Sequence, residues 1–109
     1  MAYNEKLANR VRKILSGRRG YSEIRMFGGL CFTLKGNMCC GVEKDRLMVR
    51  VGPERYDKAL KEPHARPMDF TGRPLKGFLF VGPGGYKSAP SLRKWIAMSA
   101  DFALSLPAK

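Results

Sequence analysis

Between residues 22 and 51, four short apolar runs are separated by gaps of only two residues, and this spacing limits the fold most. The runs are 22–27, 30–35, 38–43 and 46–51, divided by Gly28-Gly29, Gly36-Asn37 and Lys44-Asp45. A parallel crossover needs a dozen or more residues, so successive runs of this kind can pair only as antiparallel neighbours. Gly36-Asn37 reads as a hairpin turn that uses glycine's access to positive φ, and Lys44-Asp45 reads as a second tight turn.

Helices flank this meander. Residues 4–16 have Leu7, Val11, Ile14 and Leu15 on one face at helical spacing, behind the expected N-cap Asn4. Gly52-Pro53 opens a second helix that runs to Lys61 and buries Tyr56, Ala59 and Leu60. Two more strands, 68–70 and 77–81, surround the turn Thr71-Gly72-Arg73-Pro74, and 82–85 reads as a glycine-rich loop. The last helix starts between Ser88 and Ser91 and anchors its core on Trp95. The expected architecture is α+β in two layers, an antiparallel sheet packed with helices in the order α, three or four strands, α, two strands, α. At 109 residues the chain holds one domain, 1–109.

The two turns also set an expected register. Gly36-Asn37 pairs Thr33 with Cys40 and Cys31 with Val42, while Lys44-Asp45 pairs Val42 with Leu47 and Cys40 with Val49. One sheet face then carries Cys31, Thr33, Met38, Cys40, Val42, Leu47, Val49 and Val51. The other carries Leu30, Phe32, Leu34, Cys39, Gly41 and Met48. Both faces are apolar, whereas a sheet with one wet face alternates cleanly. The second face must therefore be covered, by a helix of this chain or by a second copy in a homodimer.

Charge points to partners. The formal net charge is +12, and residues 6–19 hold Lys6, Arg10, Arg12, Lys13, Arg18 and Arg19 with no acid. Lys6, Arg10 and Lys13 form an outer stripe of the first helix, with Arg18 and Arg19 just beyond. This stripe is the candidate surface for nucleic acid or an acidic partner, set against the simpler reading of a solvated face. No helix-turn-helix accompanies it, so sequence-independent phosphate contact is the most it supports. A second cluster, His64, Arg66, Arg73 and Lys76, is a candidate anion pocket, set against an Asp69–Arg ion pair bracing the turn.

No motif carries catalysis: Gly-x-Ser-x-Gly, His-Glu-x-x-His and paired carboxylates in an apolar setting are all missing. The expectation is no enzyme, no catalytic residues, no cofactor and no metal. Cys31, Cys39 and Cys40 are odd in number and read as reduced, buried side chains. The adjacent pair should point to opposite faces of a strand and so should not share a site. The N-terminus lacks a signal-peptide core and no run is long enough to span a membrane, which makes the expected location cytoplasmic.

Three stretches resemble the N-terminal domain of the TfoX/Sxy competence-regulator family: Met26-Phe27-Gly28-Gly29, Leu47-Met48-Val49-Arg50-Val51-Gly52, and the run His64-Ala-Arg-Pro-Met-Asp-Phe-Thr-Gly-Arg-Pro-Leu-Lys-Gly77. The resemblance spans nearly the whole chain. It implies a two-layer fold like that of type III secretion chaperones. It also implies a role as regulator or co-activator of transcription, working with a DNA-bound activator. Longer members add a C-terminal helical domain associated with DNA contact, which is not present in these 109 residues. The expected function is a non-enzymatic regulatory module that binds a macromolecular partner. The alternatives are a small-anion-binding protein and a weak, sequence-independent nucleic-acid binder.

Overall fold

The computed structural model describes residues 3–26, 28–69 and 74–107, with the side chains of 26, 69 and 74–76 outside that description. The elements are α1 (Glu5–Leu15), β1 (Tyr21–Met26), β2 (Gly29–Leu34), β3 (Asn37–Glu43), β4 (Arg46–Arg50), α2 (Pro53–Leu60), β5 (Ala65–Asp69), β6 (Pro74–Val81), α3 (Pro83–Tyr86) and α4 (Ala89–Ser105). The strands form one antiparallel sheet in the order β1-β2-β3-β4-β6-β5. The α+β class and the meander are as expected. The segment 82–85 contributes to a helical turn, α3, begun by Pro83. The strands β5 and β6 are longer than their apolar cores suggested, because Pro67 sits on the edge strand and Pro74 at the first residue of its strand, two places where a missing N–H is tolerated.

Asn4 caps α1: its side-chain oxygen accepts from the Leu7 amide at 3.1 Å. Ser88 does the same for α4, accepting from Ser91 at 3.2 Å. The buried residues of all four helices join one cluster with the sheet: Leu7, Val11 and Leu15 of α1, Tyr56 of α2, Tyr86 of α3, and Leu92, Trp95 and Ile96 of α4. All the helices therefore pack on the same side of the sheet.

The expected register holds at one turn and fails at the other. Between β3 and β4, Val42 faces Leu47 and Cys40 faces Val49, as read from Lys44-Asp45. Between β2 and β3 the turn residues are instead Lys35-Gly36, both in the left-handed region with φ of 53° and 83°, flanked by the pair Leu34 and Asn37. Two consecutive positive φ values make this a primed hairpin turn, matched to strand twist. Farther along, Thr33 pairs with Met38 but Phe32 pairs with Cys40, which leaves Cys39 as the extra residue of a bulge.

These two shifts exchange the faces of β2. Leu30, Phe32 and Leu34 lie on the helix side with Cys40, Val42, Leu47 and Val49, whereas Cys31 lies on the other side with Met48. A slip of one residue turns every side chain of a strand over, so the expected membership of the second face was wrong in all but Met48 and Gly41. The bulge also corrects the cysteine reading. Cys39 and Cys40 both point into the helix-side core, because alternation stops at the inserted residue.

Candidate interaction surfaces

The first candidate surface starts on α1. Its apolar face is spent on the core, which leaves Lys6 and Lys13 exposed and Arg10 half-buried on the outer stripe. Arg10 Nη2 donates to the carbonyl of Lys87 at 3.2 Å, which ties the stripe to the segment entering α4. Beyond the helix end, Arg18 and Arg19 are exposed. The amide of Lys35 donates to the carbonyl of Gly20 at 2.9 Å, and a Cβ on Gly20 would strike the Lys35 side chain. The β2–β3 turn thus sets Lys35 beside the loop that carries Arg18 and Arg19. Among the described residues none of Lys6, Lys13, Arg18, Arg19 and Lys35 takes part in an ion pair.

Arg12 leaves this group. Its Nε and Nη2 hold both carboxylate oxygens of Glu23 at 2.6 and 2.9 Å, and the Tyr21 hydroxyl donates to the same carboxylate. The Arg12 hydrogen bonds, more than any other influence, hold the Glu23 carboxyl below its ordinary range. Burial, helped by the neighbouring Glu23, pushes the Tyr21 hydroxyl up. Arg12 therefore fastens α1 to β1 and is only partly available to a partner.

The second surface is the sheet face away from the helices. Cys31, Met48, Met68 and Phe80 form a separate buried cluster there, with Met38 and Phe78 partly buried against it. Arginines border it. The Arg46 guanidinium lies 3.9 Å from the centre of the Phe80 ring, and that of Arg50 lies 5.3 Å from Phe78 and 5.1 Å from Phe102. Stacked guanidiniums shield aromatic faces while keeping their charge toward solvent. Arg66 faces Phe80 across β5 and β6 and is exposed.

The 64–76 group is spread along a hairpin. His64 precedes β5, with φ of 70°, and its carbonyl accepts from the Gly82 amide at 3.0 Å. Its ring lies over Gly84, where a Cβ would collide with it. Pro74 pairs with Asp69 at the far end of β5. Four residue steps of extended chain separate Ala65 from Asp69, about 13 Å. Arg66 projects from the sheet face between these ends. Arg73, and the side chains of Lys76 and Asp69, lie outside the described residues, as does the proposed Asp69–Arg pair.

Two surface grooves flank α2. One, about 400 Å³, lies among Gly52, Pro53, Phe102 and Ser105, with the Arg55–Asp101 pair at 3.9 Å on its rim. The other, about 330 Å³, lies between α2 and α4 near Ala59 and Met98. His64 and Arg66 line neither.

Burial pushes the Cys40 thiol up, and the adjacent Cys39 adds to the effect; Cys31 is raised by burial alone. A buried thiol held protonated is a poor nucleophile. Among the described residues no three His, Cys, Asp or Glu side chains gather where they could hold a metal ion. No described helix is long and apolar enough to cross a membrane.

Sequence reasoning found the α1 stripe but missed Lys35 and Lys87, whose approach depends on contacts distant in the chain. Among known proteins, the family model described as the TfoX N-terminal domain matches residues 13–103. No curated protein and no solved structure matches the chain.

Proposed function

Because the chain belongs to the TfoX N-terminal domain family, we propose that it is a non-enzymatic regulatory module that acts in transcription by binding a macromolecular partner. The observation that carries this reading is the extent of the family match, which takes in every strand and most of the helical layer. The fold supports it in a second way. With all helices on one side, the other sheet face presents methionine, phenylalanine and arginine side chains. These residue types are enriched at the centres of protein interfaces, and methionine adapts its shape to what it meets. The proposed partner contact on that face is with a protein whose surface combines apolar and acidic groups.

The experiment is a transcript profile of the native cell with the gene deleted, restored, and restored as Arg46→Glu/Arg66→Glu. Deletion should change a defined set of transcripts and restoration should reverse the change. The double charge reversal should fail to restore them while the purified variant remains folded. An unchanged profile on deletion would overturn the regulatory reading. Full rescue by the reversal would remove the sheet face from it.

A further inference from the structure

Lys6, Arg10 and Lys13 follow one another at four and three residues along α1, a rise of about 10 Å. Arg18 and Arg19 extend the row past the helix end, and Lys35 is brought to it by the Lys35–Gly20 hydrogen bond. The chain has no acid between residues 5 and 23, and Glu23 is already held by Arg12. Glu5 opens α1 at the other end of the row. Of the other acids, Glu43 is engaged by Arg46, Glu62 by Lys94 and Asp101 by Arg55, Glu54 and Asp57 lie on α2, Asp69 closes β5, and Asp45 accepts from the Asn4 side chain at the N-terminal end of α1. Among the described residues, Lys6, Lys13, Arg18, Arg19 and Lys35 take part in no ion pair, and Arg10 is held by the Lys87 carbonyl with its charge unmatched by an acid.

We infer that this ridge, built from Lys6, Arg10, Lys13, Arg18, Arg19 and Lys35, contacts the phosphate backbone of duplex DNA without reading its sequence. Several features favour a duplex over other anions. The cations form a row and do not converge on a point, so they suit a linear array of charges more than one small anion. Duplex DNA carries a charge about every 1.7 Å along its axis, so it presents roughly six charges over the α1 part of the ridge alone. Single strands are gripped by stacking bases on aromatic rings. The large apolar side chains exposed among the described residues are Ile24 and Leu104, neither aromatic and neither on this row. Contacts to phosphate fix a protein on the duplex without carrying sequence information, and a row of lysine and arginine on the outside of one helix supplies contacts of that kind. This contact can exist whether or not the chain regulates transcription, and its test reads affinity alone.

The test is fluorescence anisotropy of a labelled duplex of about 20 base pairs, titrated with the protein between about 50 and 200 mM salt. Five or six phosphate contacts predict a log–log salt slope of about −5, at about −0.9 per phosphate. Lys13→Ala/Arg18→Ala/Lys35→Ala should weaken binding roughly tenfold or more at the lowest salt and make the slope shallower by about three. Arg55→Ala/Lys58→Ala/Lys61→Ala removes the same charge from α2 and its C-cap and should leave the slope unchanged. All six positions are exposed, so circular dichroism and the thermal midpoint should match the parent protein. Three results would each overturn the inference: no binding at the lowest salt, equal losses in the two triple variants, or equal affinity and slope for labelled poly-glutamate.

Discussion

On the helix side of the sheet, Phe32, Leu34, Leu47, Val49 and Leu79 have no exposure at all and lie beneath Trp95 and Ile96 of α4. On the opposite side Cys31, Met48 and Phe80 are 4–5 % exposed with no helix in their cluster. The two sides reach nearly the same burial by different means. Branched and aromatic side chains interlocked with helices have few rotamers left, so that side fixes the fold. Methionines and stacked arginines cover the other side with flexible chains that can repack around a partner. Burial alone therefore does not separate a structural core from an adaptable surface; the stiffness of the covering groups does.

The largest expected effect tests that contrast directly. Phe32→Ala should cost about 3–5 kcal/mol in urea denaturation, because the helix layer cannot collapse into the space left behind. Met48→Ala, across the sheet, should cost about 2 kcal/mol, at the low end of such truncations. Equal losses at the two sites would show that the second side is as rigid as the first.

Phe78→Asp sharpens the same point. Phe78 is only partly buried, so a self-sufficient face should accept the change for about 1 kcal/mol and leave the protein's hydrodynamic size unchanged. A second copy seated on this face would instead be expelled, and size-exclusion chromatography would register the change.

A smaller effect comes from the polar rim of the helix side, where Arg12 grips Glu23 opposite Phe32. The folded carboxyl sits below its unfolded value of about 4.3, so its contribution is complete above that pH and is lost as pH falls through the folded value. With both partners partly exposed, the pair should contribute about 1 kcal/mol or less. Glu23→Gln should lower stability at neutral pH by that amount. It should also flatten the decline in thermal midpoint expected of the parent below pH ~4.

The smallest effect is a difference in rate. Cys39 and Cys40 lie under the helices with no exposure, and Cys31 lies on the other side at 4 %. With a thiol reagent under native conditions, Cys31 should react first, in a phase that Cys31→Ser removes. Cys39 and Cys40 should wait for global opening. Simultaneous reaction of all three would erase the proposed difference in stiffness.

Much of this architecture was legible in the chain because its turns are short. Lys44-Asp45 gave the correct pairing, for Glu43 and Arg46 flank it with opposite charges in facing positions. Lys35-Gly36 was misread as Gly36-Asn37, since a lysine at positive φ is rare and the glycine alone does not say which turn position it fills. The Cys39 bulge left no local mark, and only the demand that Phe32 meet the helices reveals it. At the candidate sites, the α1 stripe is local and could be counted on a helical wheel. Lys35 reaches the ridge through a hydrogen bond spanning fifteen positions, which no periodicity encodes. His64, Arg66, Arg73 and Lys76 were grouped because they are near in sequence, yet the β5–β6 hairpin has His64 at one end and the Asp69–Pro74 pair at the other.

The central strand β3 is also a mounting bar. At one end the Lys44 carbonyl accepts from the Asn4 amide at 2.7 Å, and at the other the Asn37 side chain donates to the Pro107 carbonyl at 2.9 Å. Seven steps of extended chain separate Asn37 from Lys44, about 23 Å. Any module carried beyond residue 4 and any carried beyond residue 107 would leave from opposite ends of one rigid strand. A tether shorter than that span could not bring two such modules together, and a longer one would set their effective concentration by its length. The sheet would then act as a spacer between whatever its two anchors hold.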